Sequence, residues 1–257
     1  MPELPDVEGF RRTFQKHAAG KLVRAVRWID RSMLRDTTQQ RVARALKGRR
    51  FARPERQGKL LICPTEDGPA LLLHFGMTGQ FVWGEQGTRH PHDRLGLEFD
   101  DGVLRYRNMR KFGGIWIADG EAELERIRSR LGPDWQSVSF EDFEKLLGGR
   151  RASLKALLLD QSVASGLGNL TADEALWQAR LDPVRPASSL GSRERRELYR
   201  KIQKVLRDSV PYGLVPAKRT WLTGARGPGS TCPRCGARLE RRTVAGRTTY
   251  SCPREQR

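Results

Sequence analysis

The spacing of apolar residues changes near the middle of the chain, and this change limits the fold more than any other feature. Up to about residue 120, short apolar runs alternate with turn residues, a pattern typical of β-strands. We predict strands at residues 22–29, 50–56, 59–63, 70–75, 79–83, 94–99, 103–107 and 113–118. Many short strands at such spacing favour a β-sandwich or barrel.

From about residue 120 the pattern becomes helical, and we predict helices near 140–147, 152–160, 169–179 and 192–207. Another helix opens the chain, because Pro5 suits a first helical turn and apolar residues follow on one face. The fold class is therefore α+β. We expect boundaries near residues 130 and 223, with residues 224–257 forming a hairpin.

The chain is strongly basic, with a formal net charge of +18 over 257 residues. Arginine pairs such as Arg49-Arg50 and Arg241-Arg242 are spread along it rather than gathered in a tail. This charge predicts a polyanionic partner and salt-dependent binding, the alternative being a solvated arginine-rich surface. The acidic opening is unlike a secretory signal, and no apolar run is long enough for a membrane span. We therefore expect a cytoplasmic, nucleoid-associated monomer.

Three of the four cysteines lie near the carboxyl end. Cys232 and Cys235 form a C-x-x-C pair, and Cys252 begins a second such motif whose last position is Glu255. The spacing is that of a zinc ribbon, and a carboxylate can ligate zinc. We expect one structural Zn²⁺ held by these four residues, while zinc with water or another fourth ligand and a metal-free hairpin remain open. Cys63, in an apolar run, is expected to be a buried small hydrophobe.

The first eight residues, MPELPDVE, place a proline after the initiator methionine. If Met1 is removed, Pro2 becomes a free secondary amine, and an α-amino group titrates at about 7.7–8.0. Such an amine can attack an aldehyde-like carbon to form an iminium ion, and the neighbouring Glu3 could move protons. The alternative is that Pro2 only stiffens the chain start and Glu3 is a helix charge.

Three turns in the first half carry side chains suited to DNA. Lys59 follows a glycine at a strand start and could hold a phosphate. Met77, in the sequence HFGMTG, could wedge into a base stack. In NMRKFGG, Arg110 could hydrogen-bond an orphaned base and Phe112 could stack. The alternatives are an exposed lysine and a methionine packed under its turn.

A further turn, GLGN, precedes the predicted helix at 169–179. Its Gly-x-Gly is not a dinucleotide site, because a helix rather than a strand is predicted before it. The glycines would let backbone N–H groups approach a phosphate, and Asn169 could cap the helix or bind the same phosphate. The alternative is an ordinary glycine-rich connection.

The opening string resembles the amino-terminal signature of the formamidopyrimidine-DNA glycosylase and endonuclease VIII family, on the formamidopyrimidine side. The lysine, the two loops, the GLGN segment and the ribbon are similar to that family in the same order along the chain. The resemblance implies a sandwich domain at 1–130, a helix–two-turns–helix domain at 131–223 and a zinc-ribbon-like hairpin at 224–257.

It also implies a bifunctional glycosylase and abasic-site lyase of base excision repair, acting on double-stranded DNA with an oxidised base or abasic site. Pro2 would be the nucleophile, Glu3 the proton donor and Lys59 a catalytic lysine contacting phosphate. Filling of the hole left by the extruded base, or DNA backbone contact, is implied for His74, Met77, Arg110, Phe112, Lys155, Asn169 and Arg247.

Three departures from the family matter, and the last of them bears on substrate. Asp6 replaces a glutamate, Glu255 replaces a cysteine, and segment 209–231 is short where a longer loop covers an oxidised purine. The choice among 8-oxoguanine, formamidopyrimidines and oxidised pyrimidines stays open. One rival function is a non-enzymatic binder of abasic or damaged DNA. A second, an enzyme using Pro2 as a base on a small keto acid, needs neither the charge nor the ribbon.

Overall fold

The computed structural model describes residues 1–87 and 89–257, which form two compact units. The first comprises Met1–Pro2 and Asp6–Arg130, and the second Glu3–Pro5 and Leu131–Arg257. Within the described residues, every helix is too short or too polar to cross a membrane.

The first unit contains two four-stranded antiparallel sheets. Their orders are β1-β6-β7-β5 and β2-β3-β4-β8. The strands are β1 Ala25–Arg27, β2 Glu55–Gln57, β3 Leu60–Pro64, β4 Ala70–His74, β5 Gln80–Gly84, β6 Asp93–Phe99, β7 Gly102–Arg107 and β8 Gly114–Ala118. Three helices accompany them: α1 Leu4–His17, α2 Gln39–Leu46 and α3 Glu121–Arg128.

One hydrophobic core joins both sheets to helix α1. Phe14 of α1 packs edge-on against Phe51, with ring centroids 4.8 Å apart. The same core contains Leu73 from β4 of one sheet and Leu104 from β7 of the other. Burial of alternate side chains from two facing sheets is the arrangement of a sandwich. The predicted β-sandwich is confirmed, and Cys63 is fully buried in its core as expected.

Several local predictions differ from the structure, and the strand predicted at 22–29 is reduced to Ala25–Arg27. The strand predicted at 50–56 is reduced to Glu55–Gln57, because Pro54 just before it has no N–H for a ladder. Helix α2 was not predicted, although its signals are present in the sequence. The Thr38 side chain accepts from the N–H of Arg41 at its start, and Val42 and Leu46 are buried four residues apart.

The second unit is helical, with a hairpin at its carboxyl end. Its helices are α4 Phe140–Leu147, α5 Leu154–Leu159, α6 Asn169–Ala179, α7 Ser192–Ser209 and α8 Leu222–Ala225, and its strands are β9 Glu240–Val244 and β10 Arg247–Ser251. Ser139 and Ser153 cap α4 and α5 with side chains that accept backbone N–H bonds. The four predicted helices are thus present, and their ends agree within two residues.

A main core lies between the helices, and a small one lies under the hairpin. Leu154, Leu176 and Ile202 are among the fully buried residues of the main core. The small core contains Trp177 of α6 and Tyr250 of β10. The β9–β10 turn has positive φ at both Ala245 and Gly246, which suits the twist of a two-residue hairpin.

Candidate functional site

The carboxylate of Glu3 is buried at the amino-terminal end of helix α6. Its Oε1 accepts a hydrogen bond from the backbone N–H of Leu170 at 2.8 Å. Its Oε2 accepts from the N–H of Thr171 at 3.0 Å and from the Thr171 hydroxyl at 2.6 Å. The first N–H groups of a helix have no partner inside it, and its dipole favours a negative group there. Three bonds therefore fix both the position and the orientation of Glu3.

Two glycines make room for the chain start. The N–H of Leu4 donates to the carbonyl of Gly166, where φ is +121° and a Cβ would lie 2.6 Å from the Leu4 side chain. A Cβ on Gly168 would lie 2.3–2.5 Å from atoms of the Glu3 side chain. We name residues 166–171 the Glu3 cradle. Its glycines leave space for residues 3 and 4. The N–H groups at the start of α6 bind a carboxylate, whereas the sequence predicted a phosphate there.

Pro2 is joined to this anchored residue by one peptide bond. It is half-buried, and Met1 before it is 44% exposed. Since Glu3 is held by three hydrogen bonds, few positions are open to Pro2. The cradle thus limits where an amine at Pro2 can lie once Met1 is removed.

Lys155 is completely buried, which differs from the expectation of a DNA contact. Its Nζ donates to Thr249 Oγ1 at 2.6 Å and lies 2.5 Å from Asp173 Oδ1. Asp173 Oδ2 also pairs with Arg226 at 3.0 Å. Burial lowers the pKa of Lys155 and raises that of Asp173, while their mutual attraction opposes both shifts. The structure gives Lys155 the role of tying helix α5 to α6 and strand β10.

Asn169 is the first residue of α6, and the cap position is held by Gly168. The predicted capping role is therefore wrong. The Asn169 Nδ2 donates to the carbonyl of Thr248 at 2.9 Å, and Arg226 donates to the same carbonyl at 2.7 Å. Its buried Oδ1 accepts no hydrogen bond from the described residues. A phosphate role for Asn169 stays a prediction.

Arg247, the remaining sequence-predicted DNA contact of this unit, is exposed at the first position of β10. The last three residues of the strand are buried, and Tyr250 among them packs with Trp177 of α6 and Leu222 of α8. Arg247 is therefore an exposed cation at the end of a hairpin strand that is packed against the helices, and such a position suits a phosphate contact.

In the first unit, Lys59 and His74 lie at one end of the same sheet. Lys59 is in the turn between β2 and β3, and His74 ends β4 opposite Leu60. Burial, with the nearby charge of Lys59, lowers the pKa of His74. His74 Nδ1 also accepts from the N–H of Gly76, which holds the ring against its own turn. The two predicted residues are thus neighbours, and the lysine is the charged member.

The predicted wedge residues differ in exposure. Phe112 is 59% exposed, and the Arg110 guanidinium lies 5.0 Å from the centre of its ring. Met77 is half-buried, whereas Met109, which was not predicted from the sequence, is 55% exposed. Large apolar side chains exposed on one short loop are typical of a binding surface. We name residues 108–113 the Asn108 loop.

Asn108, also missed from the sequence, holds this loop. It is fully buried, its Nδ2 donates to the Phe75 carbonyl and the Tyr106 hydroxyl, and its Oδ1 accepts from Thr78 and from the N–H of Lys111. An asparagine directly after a strand was the available signal. Asn108 fixes the backbone and leaves the neighbouring side chains exposed.

Three thiols meet at the base of the hairpin. The Sγ atoms of Cys232, Cys235 and Cys252 all lie within 4.8 Å of one another. Burial opposes ionisation of Cys232, but hydrogen bonds from the Trp177 indole and from backbone N–H groups outweigh it and lower its pKa. A close thiol group surrounded by N–H donors fits a structural zinc, which these residues would hold.

Glu255, the predicted fourth ligand, is not in this group. Its Oε2 lies 3.1 Å from Arg234 and 3.5 Å from Arg180. The prediction that Glu255 completes the metal site therefore does not fit the structure, because its carboxylate is turned to two cations.

Comparison with family models covers most of the chain. Residues 1–115 match the formamidopyrimidine-DNA glycosylase N-terminal domain, and residues 131–217 match the H2TH domain of the same enzymes. Residues 229–254 match a zinc finger found in FPG and IleRS.

Curated relatives and solved structures agree with these matches. The formamidopyrimidine-DNA glycosylase of Thermus thermophilus is 37% identical over 270 residues, covering 98% of this chain and 97% of its own length. That of Heliobacterium modesticaldum is 36% identical over 280 residues, covering all of both chains. The Lactococcus lactis enzyme, solved non-covalently bound to DNA containing an AP site, superimposes with a TM-score of 0.91 at 29% identity, covering 99% of each chain.

Proposed function

The chain belongs to the formamidopyrimidine-DNA glycosylase family, and on this premise we propose that it is a DNA repair glycosylase with abasic-site lyase activity. The observation that carries the proposal is the burial of Glu3 in its cradle, with three hydrogen bonds to its carboxylate. A binding protein has no need to fix a carboxylate next to its second residue.

The proposed reaction starts at the Pro2 nitrogen after Met1 is removed. The amine attacks C1′ of the damaged nucleotide, and the base leaves with the electrons of the glycosidic bond. The attacking Pro2 nitrogen then loses its proton to the Glu3 carboxylate. The bond from C1′ to the ring oxygen opens as a Pro2 iminium forms, and Glu3 passes that proton to the ring oxygen. Loss of the C2′ proton expels the 3′ phosphate, and a second elimination expels the 5′ phosphate. Hydrolysis of the iminium frees the enzyme.

The exposed groups of each unit would serve DNA binding. Lys59, Arg110 and Arg247 offer cations for phosphates or an orphaned base. Attack at C1′ requires the damaged nucleotide to leave the stack, and Phe112 with Met109 or Met77 would occupy the space it leaves. The net charge of +18 supports double-stranded DNA as the partner.

We propose formamidopyrimidines as the substrate class. Support comes from the Lactococcus lactis relative, 29% identical with a TM-score of 0.90, which was solved with DNA containing an N7-benzyl-Fapy-dG. Covering an oxidised purine would depend on segment 209–231, where Tyr212 and Leu214 are exposed. Duplexes with a formamidopyrimidine, 8-oxoguanine or an oxidised pyrimidine, compared under single-turnover conditions, measure the preference directly.

Borohydride trapping on a duplex with an abasic site tests the lyase. The mature protein should give a covalent adduct that maps to Pro2. The matched control keeps every side chain but retains Met1, which turns the Pro2 amine into an amide. That form should bind the duplex and fail to trap. Glu3→Gln should bind DNA and lose base excision.

Two outcomes would contradict the assignment. Trapping by a Pro2→Gly protein that also retains Met1, with the adduct mapping to a lysine and not to the Met1 α-amino group, would mean that a lysine is the nucleophile. Tight, salt-sensitive binding by the mature protein without any adduct or base release would favour the non-enzymatic binder of damaged DNA.

A further inference from the structure

The second half of the zinc ribbon has a carboxylate where a four-cysteine site has a thiol. Cys252-Pro253-Arg254-Glu255 repeats the Cys232-Pro233-Arg234-Cys235 motif except at its last position. In the part of the chain that the structure describes, the possible metal ligands at this place are three cysteines. A structural zinc site usually has four protein ligands.

Glu255 has other partners. Its side chain is 15% exposed, and its Oε2 accepts a hydrogen bond from Arg234 Nη1 at 3.1 Å. Arg180 adds a second cation at 3.5 Å. To reach the thiols, this carboxylate would have to give up both guanidinium partners, of which Arg234 is the less exposed.

Arg234 is itself fixed in place. Its guanidinium lies 4.1 Å from the centre of the Trp177 ring, and it donates to the Trp177 carbonyl. The Trp177 indole N–H donates to Cys232 Sγ at 3.4 Å. The Glu255–Arg234 pair therefore connects the second cysteine motif to the first and to helix α6 without passing through a metal.

The neighbouring Gln256 is also committed elsewhere. It is buried, its Oε1 accepts from the N–H of Cys252 at 2.8 Å, and its Nε2 donates to the Leu181 carbonyl. These bonds close the turn after Cys252 through protein contacts alone. Its side-chain oxygen is thus already in use and is not directed to the thiols.

From these contacts we propose that the zinc of this ribbon has three thiolate ligands and a fourth position open to a small ligand. Water or an added thiolate would occupy that position. The Glu255–Arg234 ion pair replaces the fourth zinc–sulfur bond as the link between the two motifs.

Substitution of cobalt for zinc in the full-length protein tests the ligand set, because thiolate-to-cobalt charge-transfer bands report the number of sulfur ligands. Glu255→Ala should leave the spectrum unchanged. Addition of 2-mercaptoethanol to the wild type should shift it towards four sulfurs, and Glu255→Cys should show that shift without added thiol and no longer respond to it. Glu240→Ala, which removes a half-exposed carboxylate of the same hairpin, is the matched control.

Zinc release to a chromogenic chelator tests the ion pair. Loss of an outer-shell partner typically changes metal affinity by about 10–100-fold. We expect release from Glu255→Ala to be faster by about tenfold, at the lower end of that range, and release from Glu255→Cys to be slower than from the wild type.

Four results would overturn the proposal. A spectrum altered in Glu255→Ala would make Glu255 a ligand, and a wild type insensitive to 2-mercaptoethanol would mean that the fourth position is closed. Failure to bind one cobalt or zinc per chain would remove the site. Release from Glu255→Ala at the wild-type rate would remove the structural role of the ion pair.

Discussion

The Glu3 cradle and the Asn108 loop are both built around a buried polar side chain, and they use it in opposite ways. In the cradle the buried group is Glu3 itself, and its side chain leaves no room for a Cβ at Gly168. In the loop the buried Asn108 fixes the backbone, while Met109 and Phe112 are more than half exposed. The proposed proton donor is thus buried, in what we call the enclosed region. The proposed DNA-contacting side chains of the Asn108 loop are exposed, and we call this the displayed region.

This difference follows from what each task requires. A proton donor must be held close to its productive position, so buried hydrogen bonds that fix it contribute directly to function. A side chain that enters a base stack must be exposed until DNA arrives, and it gains its contacts only on binding. Substitutions in the enclosed region should therefore lower stability, whereas those in the displayed region should lower DNA affinity alone.

The largest loss of stability is expected from Asp173→Asn. The change keeps the shape of the side chain but leaves Lys155 and Arg226 without their buried counter-charge. Breaking a buried ion pair from one side costs about 3–5 kcal/mol. Denaturant unfolding of the wild type and the variant measures this difference in the free energy of unfolding.

Asp208→Asn is the control for this prediction, because Asp208 pairs with Lys204 at the same 2.5 Å but near the surface. An exposed pair contributes about 0–1 kcal/mol. Equal losses of stability in the two variants would show that burial of the ion pairs of Asp173 with Lys155 and Arg226 does not increase their contribution to stability.

Gly168→Ala should have the next largest effect. Its Cβ would overlap the Glu3 side chain, and overpacking of this kind costs about 1–3 kcal/mol. For a chain of this size each kcal/mol lowers Tm by about 2–4 °C. The variant should also lose covalent trapping, because Glu3 and the attached Pro2 are displaced.

Gly227→Ala serves as its control, since a Cβ there meets no atom of the described residues within 4 Å. Normal Tm and trapping in Gly168→Ala would mean that the close approach of Gly168 to Glu3 is not needed for either property.

Only part of the Glu3 cradle could be predicted from the sequence. The Gly-x-Gly before α6 and the helix itself were visible, because both are local patterns. Their occupant was not, since Glu3 and Thr171 are joined by a hydrogen bond across 168 positions. Lys155 was misjudged for a related reason: a lone lysine on a short helix carries no local sign of burial, and Asp173 and Thr249 lie far along the chain.

The ribbon shows the same limit. Three metal ligands followed from Cys spacing alone, because the C-x-x-C turn is a local structure. The orientation of Glu255 depended on Arg234 and Arg180, whose positions are set by the packing of α6 and the first cysteine motif. Phe112, which the sequence placed in a turn after a strand, is 59% exposed, whereas Met77 in its Gly-flanked turn is half-buried.

A pH-dependent loss of stability is expected at the edge of the displayed region. Burial, with the charge of Lys59, lowers the pKa of His74 in the folded chain. Above about pH 6.5, the ordinary value, the ring is neutral in both states. As pH falls through that value, the unfolded chain takes up a proton that the folded chain does not, so stability falls until the folded pKa is reached. One such group gives at most about 1.4 kcal/mol per pH unit.

His74→Asn isolates this contribution, because the amide oxygen can still accept from the N–H of Gly76. The stability difference between wild type and variant should shift in favour of the variant between pH 7.5 and 5.5. A difference that is constant across this range would mean that His74 binds a proton equally well in both states.

The smallest effect on stability is expected from Phe112→Ala, because a side chain that is 59% exposed contributes little to packing. Surface changes of this kind stay within about 0.5 kcal/mol. Affinity for a duplex with a stable abasic-site analogue should fall by about 1–3 kcal/mol, the usual contribution of one aromatic stack on a base. Val184→Ala, 46% exposed in the second unit, should change neither property. If Phe112→Ala instead lowers Tm and leaves DNA affinity intact, the Asn108 loop is part of the folded core and its exposed apolar side chains do not serve DNA.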